Sequence, residues 1–123
     1  MQNSNSKFKT DLLKRCYEFS LDIIALTDSL PKKRSSWVIS DQIIRSATSV
    51  GANLVEGRAA SSRLEFKKFY EIALKSANET KYWLSLLRDA KLADPQRIDI
   101  LLREVTEIAN MLARGVITLK RKQ

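Results

Sequence analysis

Five polar side chains recur at helical spacing between Arg45 and Glu56. At 100° per residue, Arg45, Thr48, Ser49, Asn53 and Glu56 fall at roughly 0°, 300°, 40°, 80° and 20° about a common axis, so they share one flank. Two chemistries fit such a flank. Arg45, Asn53 and Glu56 can form a small recognition pocket, or they can form a hydrogen-bonded seam between helices or subunits in which Glu56 neutralises Arg45 or Arg58. The seam is the preferred reading, because buried polar groups need partners and such seams help to fix one register. Catalysis has little to draw on. The chain has no histidine and a single cysteine, Cys16, which excludes zinc sites of the Cys/His type, Ser–His and Cys–His nucleophile pairs and histidine general bases. Carboxylates without those companions are a weak basis for chemistry. No enzyme, catalytic residue, metal site or cofactor is expected. Cys16 falls in an apolar row and reads as a small core residue. Phe66, Phe69 and Tyr70 are the residue types that stack bases in single-strand binders, but at helical spacing core packing is the preferred assignment.

These residues need helices to position them, and the apolar pattern supplies four. Leu12, Cys16, Phe19, Ile23, Leu26 and Leu30 recur at spacings of 4 and 3, with Leu13, Tyr17 and Ile24 in a row beside them, and the pattern stops before Pro31. The basic run Pro31–Ser36 is the first connection. A second helix is predicted from near Trp37 or Ser40, with Ile43, Ala47, Val50 and Leu54 as its stripe and Gly57 near its end. Ser62 and Glu65 have the capping-box spacing that opens a third helix, which runs to about Lys91. Asp94-Pro95 opens the fourth, in which Ile98, Leu102, Val105, Ala109, Leu112, Val116 and Leu119 keep the same spacing. Short links between four such helices favour antiparallel neighbours, hence an all-α, up-down-up-down four-helix bundle. The expected organisation is a frayed segment over 1–7, one bundle domain over 8–120 and a basic tail over 121–123.

The third helix carries more apolar surface than one core needs. From Phe66 to Ala77, with Ile72 and Leu74, its apolar arc spans roughly 200°. Tyr82, Trp83 and Leu86 add large groups on further sides. An apolar surface on nearly every side implies a second contact, so Tyr82, Trp83 and Leu86 are the expected homo-oligomer interface.

The 123 residues carry 22 Lys and Arg against 14 Asp and Glu, a formal charge of +8. In an up-down bundle that charge is unevenly distributed. Residues 1–15, 55–68 and 113–123 share one end, with Lys7, Lys9, Lys14, Arg15, Arg58, Arg63, Lys67, Lys68, Arg114, Lys120, Arg121 and Lys122 against only Asp11, Glu56 and Glu65. The opposite end, 27–42 with 87–100, has six basic and five acidic residues. Concentrated positive potential is the usual footprint of nucleic-acid binding. The longest apolar run is Ile23–Leu26 and no apolar stretch follows the N-terminus, so neither a membrane span nor a signal peptide is expected. One cysteine gives no internal disulfide, and a cytoplasmic protein is expected.

The middle of the chain also resembles a known family. Gln42, Ile43, Arg45, Ser49, Val50, Ala52, Asn53, Leu54, Glu56 and Gly57, followed by Ser62, Glu65, Phe66, Ala73 and Glu79, match the pattern of the four-helix-bundle proteins encoded in 23S rRNA intervening sequences. Those proteins carry a ribosomal-protein-like label. Gly51 departs from the usual residue at its slot and loosens the helix locally. The resemblance implies a bundle that assembles into a small ring, a pentamer. It also implies a relation to the accessory variability proteins of diversity-generating retroelements, which associate with nucleic acid and a reverse transcriptase. Charge and resemblance together lead to an expected function: a non-catalytic oligomeric protein binding RNA or DNA through phosphates at the basic end. The alternative is an oligomeric scaffold, or an accessory subunit for a polymerase-like partner.

Overall fold

Proline and capping residues punctuate this chain, and the helices begin and end around them. The computed structural model describes residues 4–121, with side chains from Leu12 to Leu119. It contains α1 (Ser4–Asp28), α2 (Arg34–Arg58), α3 (Arg63–Asp89) and α4 (Pro95–Arg121), with no strand among the described residues. α1 stops ahead of Pro31, whose ring disfavours helical backbone at the residue before it. Ser62 caps α3 as the sequence pattern predicts, its hydroxyl accepting from the Glu65 amide at 3.1 Å. Asp94 opens α4, its carbonyl accepting from the Ile98 amide at 3.0 Å.

Two boundaries differ from expectation. α1 is already helical from Ser4, and residues 1–3 lie outside the described residues. α2 begins at Arg34, before both Trp37 and Ser40. Its cap position is Lys33, whose extended backbone turns its carbonyl onto the Trp37 amide at 3.2 Å while its side chain caps nothing. A cap made by backbone alone leaves no residue type for a sequence pattern to recognise.

The helices pack in a square, each against its two neighbours, α1–α2–α3–α4 and back to α1, with no diagonal pair in contact among the described residues. Among the described residues α2–α3 and α3–α4 make the most extensive contacts and α1–α4 the least extensive. The apolar rows meet in one core that includes Phe19, Ile23 and Leu26 from α1, Ile43 and Leu54 from α2, Leu84 and Leu87 from α3, and Ile98, Ile108 and Leu112 from α4. Leu101 is buried where the spacing pointed to Leu102, which is only partly covered. At two places the close approach needs glycine. A Cβ on Gly57 would stand 3.1 Å from that of Phe69, and one on Gly115 only 2.7 Å from the Tyr70 ring.

Candidate nucleic-acid interface

Antiparallel order brings the start of α1, the α2–α3 turn and the end of α4 to one end of the bundle. Gly57 lies against Phe69, Gly115 beneath Tyr70, and Arg15 within 3.7 Å of Met111. The side chains described there include Lys14, Arg15, Arg58, Arg63, Lys67, Lys68 and Arg114 against Glu56 and Glu65. Lys7, Lys9, Lys120, Arg121 and Lys122 lie outside the described side chains.

These cations are not equivalent. Lys14 is well exposed and 3.9 Å from Glu18, one turn along the same helix. Lys67 sits lower against the bundle, 3.9 Å from Glu71. Arg15 is turned inward. Its Nε and one terminal nitrogen contact the two oxygens of Glu104 at 3.0 and 2.7 Å, the same nitrogen reaches Glu107 at 2.8 Å, and the side chain is only 23% exposed. Hydrogen bonds from Glu104 first and Glu107 second hold this guanidinium well above its ordinary pKa. A two-point contact to a carboxylate is the strongest form of such a bond. Arg15 was expected among the phosphate contacts, but its geometry joins α1 to α4.

The polar flank of α2 forms a seam whose membership differs from the expected one. Asn53 Nδ2 donates to the Ser49 carbonyl at 2.8 Å and to its hydroxyl at 2.9 Å. Ser76 of α3 donates to the Ser49 hydroxyl at 3.0 Å. One turn on, Thr80 Oγ1 lies 2.8 Å from both the Ser46 hydroxyl and the Ser76 carbonyl. The seam is therefore made of short hydroxyl and amide side chains between α2 and α3. Arg45 and Glu56 stand outside it: both are exposed and neither side chain has a hydrogen bond or ion pair among the described residues. A longer side chain beside the seam turns to water instead of bearing the desolvation cost of the seam.

Of the residues expected at an oligomer contact, Tyr82 is 61% exposed and Leu86 lies at the surface. Trp83 is instead half-buried against the core, its ring nitrogen donating to Glu79 at 2.9 Å and its ring nearly perpendicular to that of Tyr82, with centroids 5.0 Å apart. A larger apolar surface lies elsewhere. Tyr17, Leu21 and Ile24 on α1 and Val55 on α2 flank a groove of about 500 Å³ floored by Ser20, Thr48, Gly51 and Ala52. Tyr17 and Ile24 belong to the row that the spacing put beside the core stripe, and only the position of α2 shows that this row faces water.

Phe66 and Tyr70 stack on each other with centroids 4.8 Å apart, and burial raises the Tyr70 phenol above its ordinary pKa. Cys16 is fully buried, facing Gly51, and burial pushes its thiol up to about 12. Such a thiol is inert. Lys68, one of the cations expected at the basic end, and Lys75, which the sequence pattern did not assign there, flank Phe69 and Ile72 on α3. Their signal was a seven-residue spacing that places both on one flank. No group of three or more His, Cys, Asp or Glu side chains comes together among the described residues, and none of the described helices is long and apolar enough to cross a membrane.

Comparison with known proteins agrees with this architecture. No match was found among curated proteins. A solved structure of a protein of unknown function from the S23 ribosomal protein family, from Bacteroides thetaiotaomicron VPI-5482, is 36% identical and superposes with a TM-score of 0.81, over 85% of this chain and 97% of that one. Residues 9–114 match the model of the 23S rRNA-intervening sequence proteins, and the chain belongs to that family.

Proposed function

We propose that this protein is a non-catalytic, homo-oligomeric RNA-binding protein that grips phosphates at the basic end of its bundle. The observation that carries the reading is the charge segregation. With Arg15 tied to Glu104 and Glu107, six described cations from three separate segments, Lys14, Arg58, Arg63, Lys67, Lys68 and Arg114, belong to that end, with Glu56 and Glu65 beside them and Glu18 and Glu71 near Lys14 and Lys67, whereas residues 27–42 and 87–100 carry six basic and five acidic residues. The family's connection with 23S rRNA intervening sequences favours RNA as the ligand. Phosphate contacts of this kind position a polynucleotide without reading its sequence. Assembly uses the exposed apolar groups, Tyr82 and Leu86 on α3 and the α1–α2 groove, and a ring of subunits, a pentamer, multiplies the positive face. Absolute mass in solution tests that assembly, and a monomer at micromolar concentration overturns it.

Binding is tested by filter retention of non-specific RNA over a range of salt. Affinity falls steeply as salt rises, because each neutralised phosphate releases counterions. Reversing Lys14, Arg63 and Arg114 to Glu weakens binding similarly for unrelated RNA sequences and flattens the log–log slope by up to about three. Reversing Lys32, Lys33 and Arg34 at the far end changes net charge equally and does much less. Equal damage from both triple variants means that net charge alone governs binding, and no RNA binding at low salt refutes the reading. The α1–α2 groove supports a second reading, a scaffold that holds a protein partner along its apolar face.

A further inference from the structure

We infer that the hollow on the outer flank of α3, between Lys68 and Lys75, seats an unstacked base of a single-stranded polynucleotide, with the two lysines on the flanking phosphates. The inference rests on the nucleic-acid reading above and adds the form of polynucleotide and the place of contact. The hollow has a volume of about 580 Å³ and is lined by Glu65, Lys68, Phe69, Glu71, Ile72 and Lys75. Its floor is apolar. Phe69 is half-buried and anchored at its Cβ against Gly57 of α2, and Ile72 is 45% exposed. Neither residue is part of the bundle core.

The neighbouring aromatics are already engaged. Phe66 and Tyr70 stack on each other, and Tyr70 lies over Gly115. Phe69 is thus the aromatic that still lines open space. The rim tells a similar story. Lys68 and Lys75 are exposed and have no ion pair among the described residues. The carboxylates beside them have other partners: Glu71 is 3.9 Å from Lys67, and Glu65 accepts from the Ser61 hydroxyl at 3.4 Å. Those carboxylates also offer acceptors to the exocyclic amino groups of a base. With two lysines and two glutamates the hollow itself is close to neutral, so attraction comes from the basic end around it and selection from the floor.

A surface that binds phosphates alone has no use for an exposed isoleucine and a phenyl ring between its cations. A stacking platform beside a cationic track does, and that combination is how single strands are held without sequence preference. Lys68 and Lys75 are two turns apart, about 10 Å along the axis, which leaves room for a base to drop between them. A duplex keeps its bases paired and stacked and cannot offer one to the hollow.

The test compares four fluorescent probes of equal length on the full-length protein by anisotropy: oligoadenylate RNA, the same sequence as single-stranded DNA, its blunt duplex, and an abasic sugar–phosphate strand. Both base-bearing single strands bind about tenfold tighter than the abasic strand, the scale of stacking one or a few bases, and tighter than the duplex. Phe69→Leu keeps the apolar volume and Ile72→Ser changes an exposed position. Each shrinks that preference severalfold while leaving abasic binding and helicity unchanged. Joint Lys68→Gln and Lys75→Gln weakens every single strand. Equal affinity for abasic and base-bearing strands, or a preference untouched by both floor variants, overturns the inference and leaves phosphate binding in place. Failure to bind any probe at low salt removes the proposed function and this inference together.

Discussion

Between α2 and α3, Ser46 and Ser49 meet Thr80 and Ser76 through hydroxyl contacts of 2.8 and 3.0 Å, whereas α1 and α4 are held by arginine arms. Arg15 reaches from α1 to Glu104 and Glu107, and Arg97 reaches back from α4 to Ser29 at 3.0 Å. Short hydroxyls let two backbones approach closely and fix their register, because a hydroxyl on so short a stem reaches only partners directly opposite or on its own turn. A long guanidinium spans a wider gap and tolerates small shifts of either helix. The extent of contact agrees with this, being large for α2–α3 and least for α1–α4 among the described residues. One seam is rigid by steric fit, and the other is adjustable.

Enlarging a side chain in the close seam should have the largest effect. Ser46→Leu forces a bulky group against Thr80 in a site with almost no exposure, and overpacking of this kind costs about 3 kcal/mol. Urea unfolding measures it. In the open seam Glu107→Leu puts a leucine at a largely exposed position and removes one of the two carboxylates that hold Arg15, which should cost less than about 1 kcal/mol. Similar losses at both sites would remove the contrast.

The arginine seam should yield less energy and more motion. Arg15→Met keeps the aliphatic stem and removes the two-point bond to Glu104, at a cost of about 1 kcal/mol given the partial exposure of the partners. Cys16, on the buried face of α1, reports the opening. In the wild type iodoacetamide labels it only through unfolding, since the thiol is buried and pushed up to about 12. Labelling in Arg15→Met should accelerate more than in a variant equally destabilised within the α2–α3 seam. Equal rates at equal stability would mean that α1 does not open independently. The pH dependence has a definite sign. A thiol raised from 9.0 to about 12 by burial costs nothing below pH 9 and removes stability as pH climbs through that window. Arg15, raised further above an already high value, stays charged throughout, so the clamp itself does not weaken on the alkaline side.

Helix content and core stripes were legible in the sequence because both are local. Pro31, Ser62 and Asp94-Pro95 act on their immediate neighbours, and 3.6-residue spacing fixes which residues share a face. The α2 start was not legible, because Lys33 caps with its backbone. The site was legible only in part. Angular bookkeeping put Ser49 and Asn53 on the right flank, but it cannot say how far from the α2 axis the next helix stands, and so it assigned Arg45 and Glu56 to the same seam. Arg15 with Glu104 is a contact 89 residues apart in sequence, set by the lateral register of α1 on α4, and no spacing rule anticipates it. Trp83 shows the same gap, since aromatic surplus on α3 does not reveal that its ring folds back onto Glu79.

Two buried serines on α2 should give small effects of opposite sign. Ser46 contributes to the close seam: its hydroxyl meets Thr80 at 2.8 Å and donates to the Ile43 carbonyl at 3.3 Å. Ser36 is 1% exposed, and its hydroxyl has no hydrogen-bond partner among the described residues. A hydroxyl removed from water without a partner is a net cost, whereas a satisfied one returns about 1 kcal/mol. Ser46→Ala should therefore lower stability by about 1 kcal/mol, since Thr80 keeps the Ser76 carbonyl. Ser36→Ala should raise it by about 0.5 kcal/mol, with the missing desolvation cost partly offset by lost dispersion contacts. Thermal melts of the two single variants resolve the sign. If Ser36→Ala destabilises the fold as Ser46→Ala does, the Ser36 hydroxyl has a partner in solution, and close packing of small side chains, not satisfied hydroxyls, distinguishes the α2–α3 seam from the α1–α4 seam.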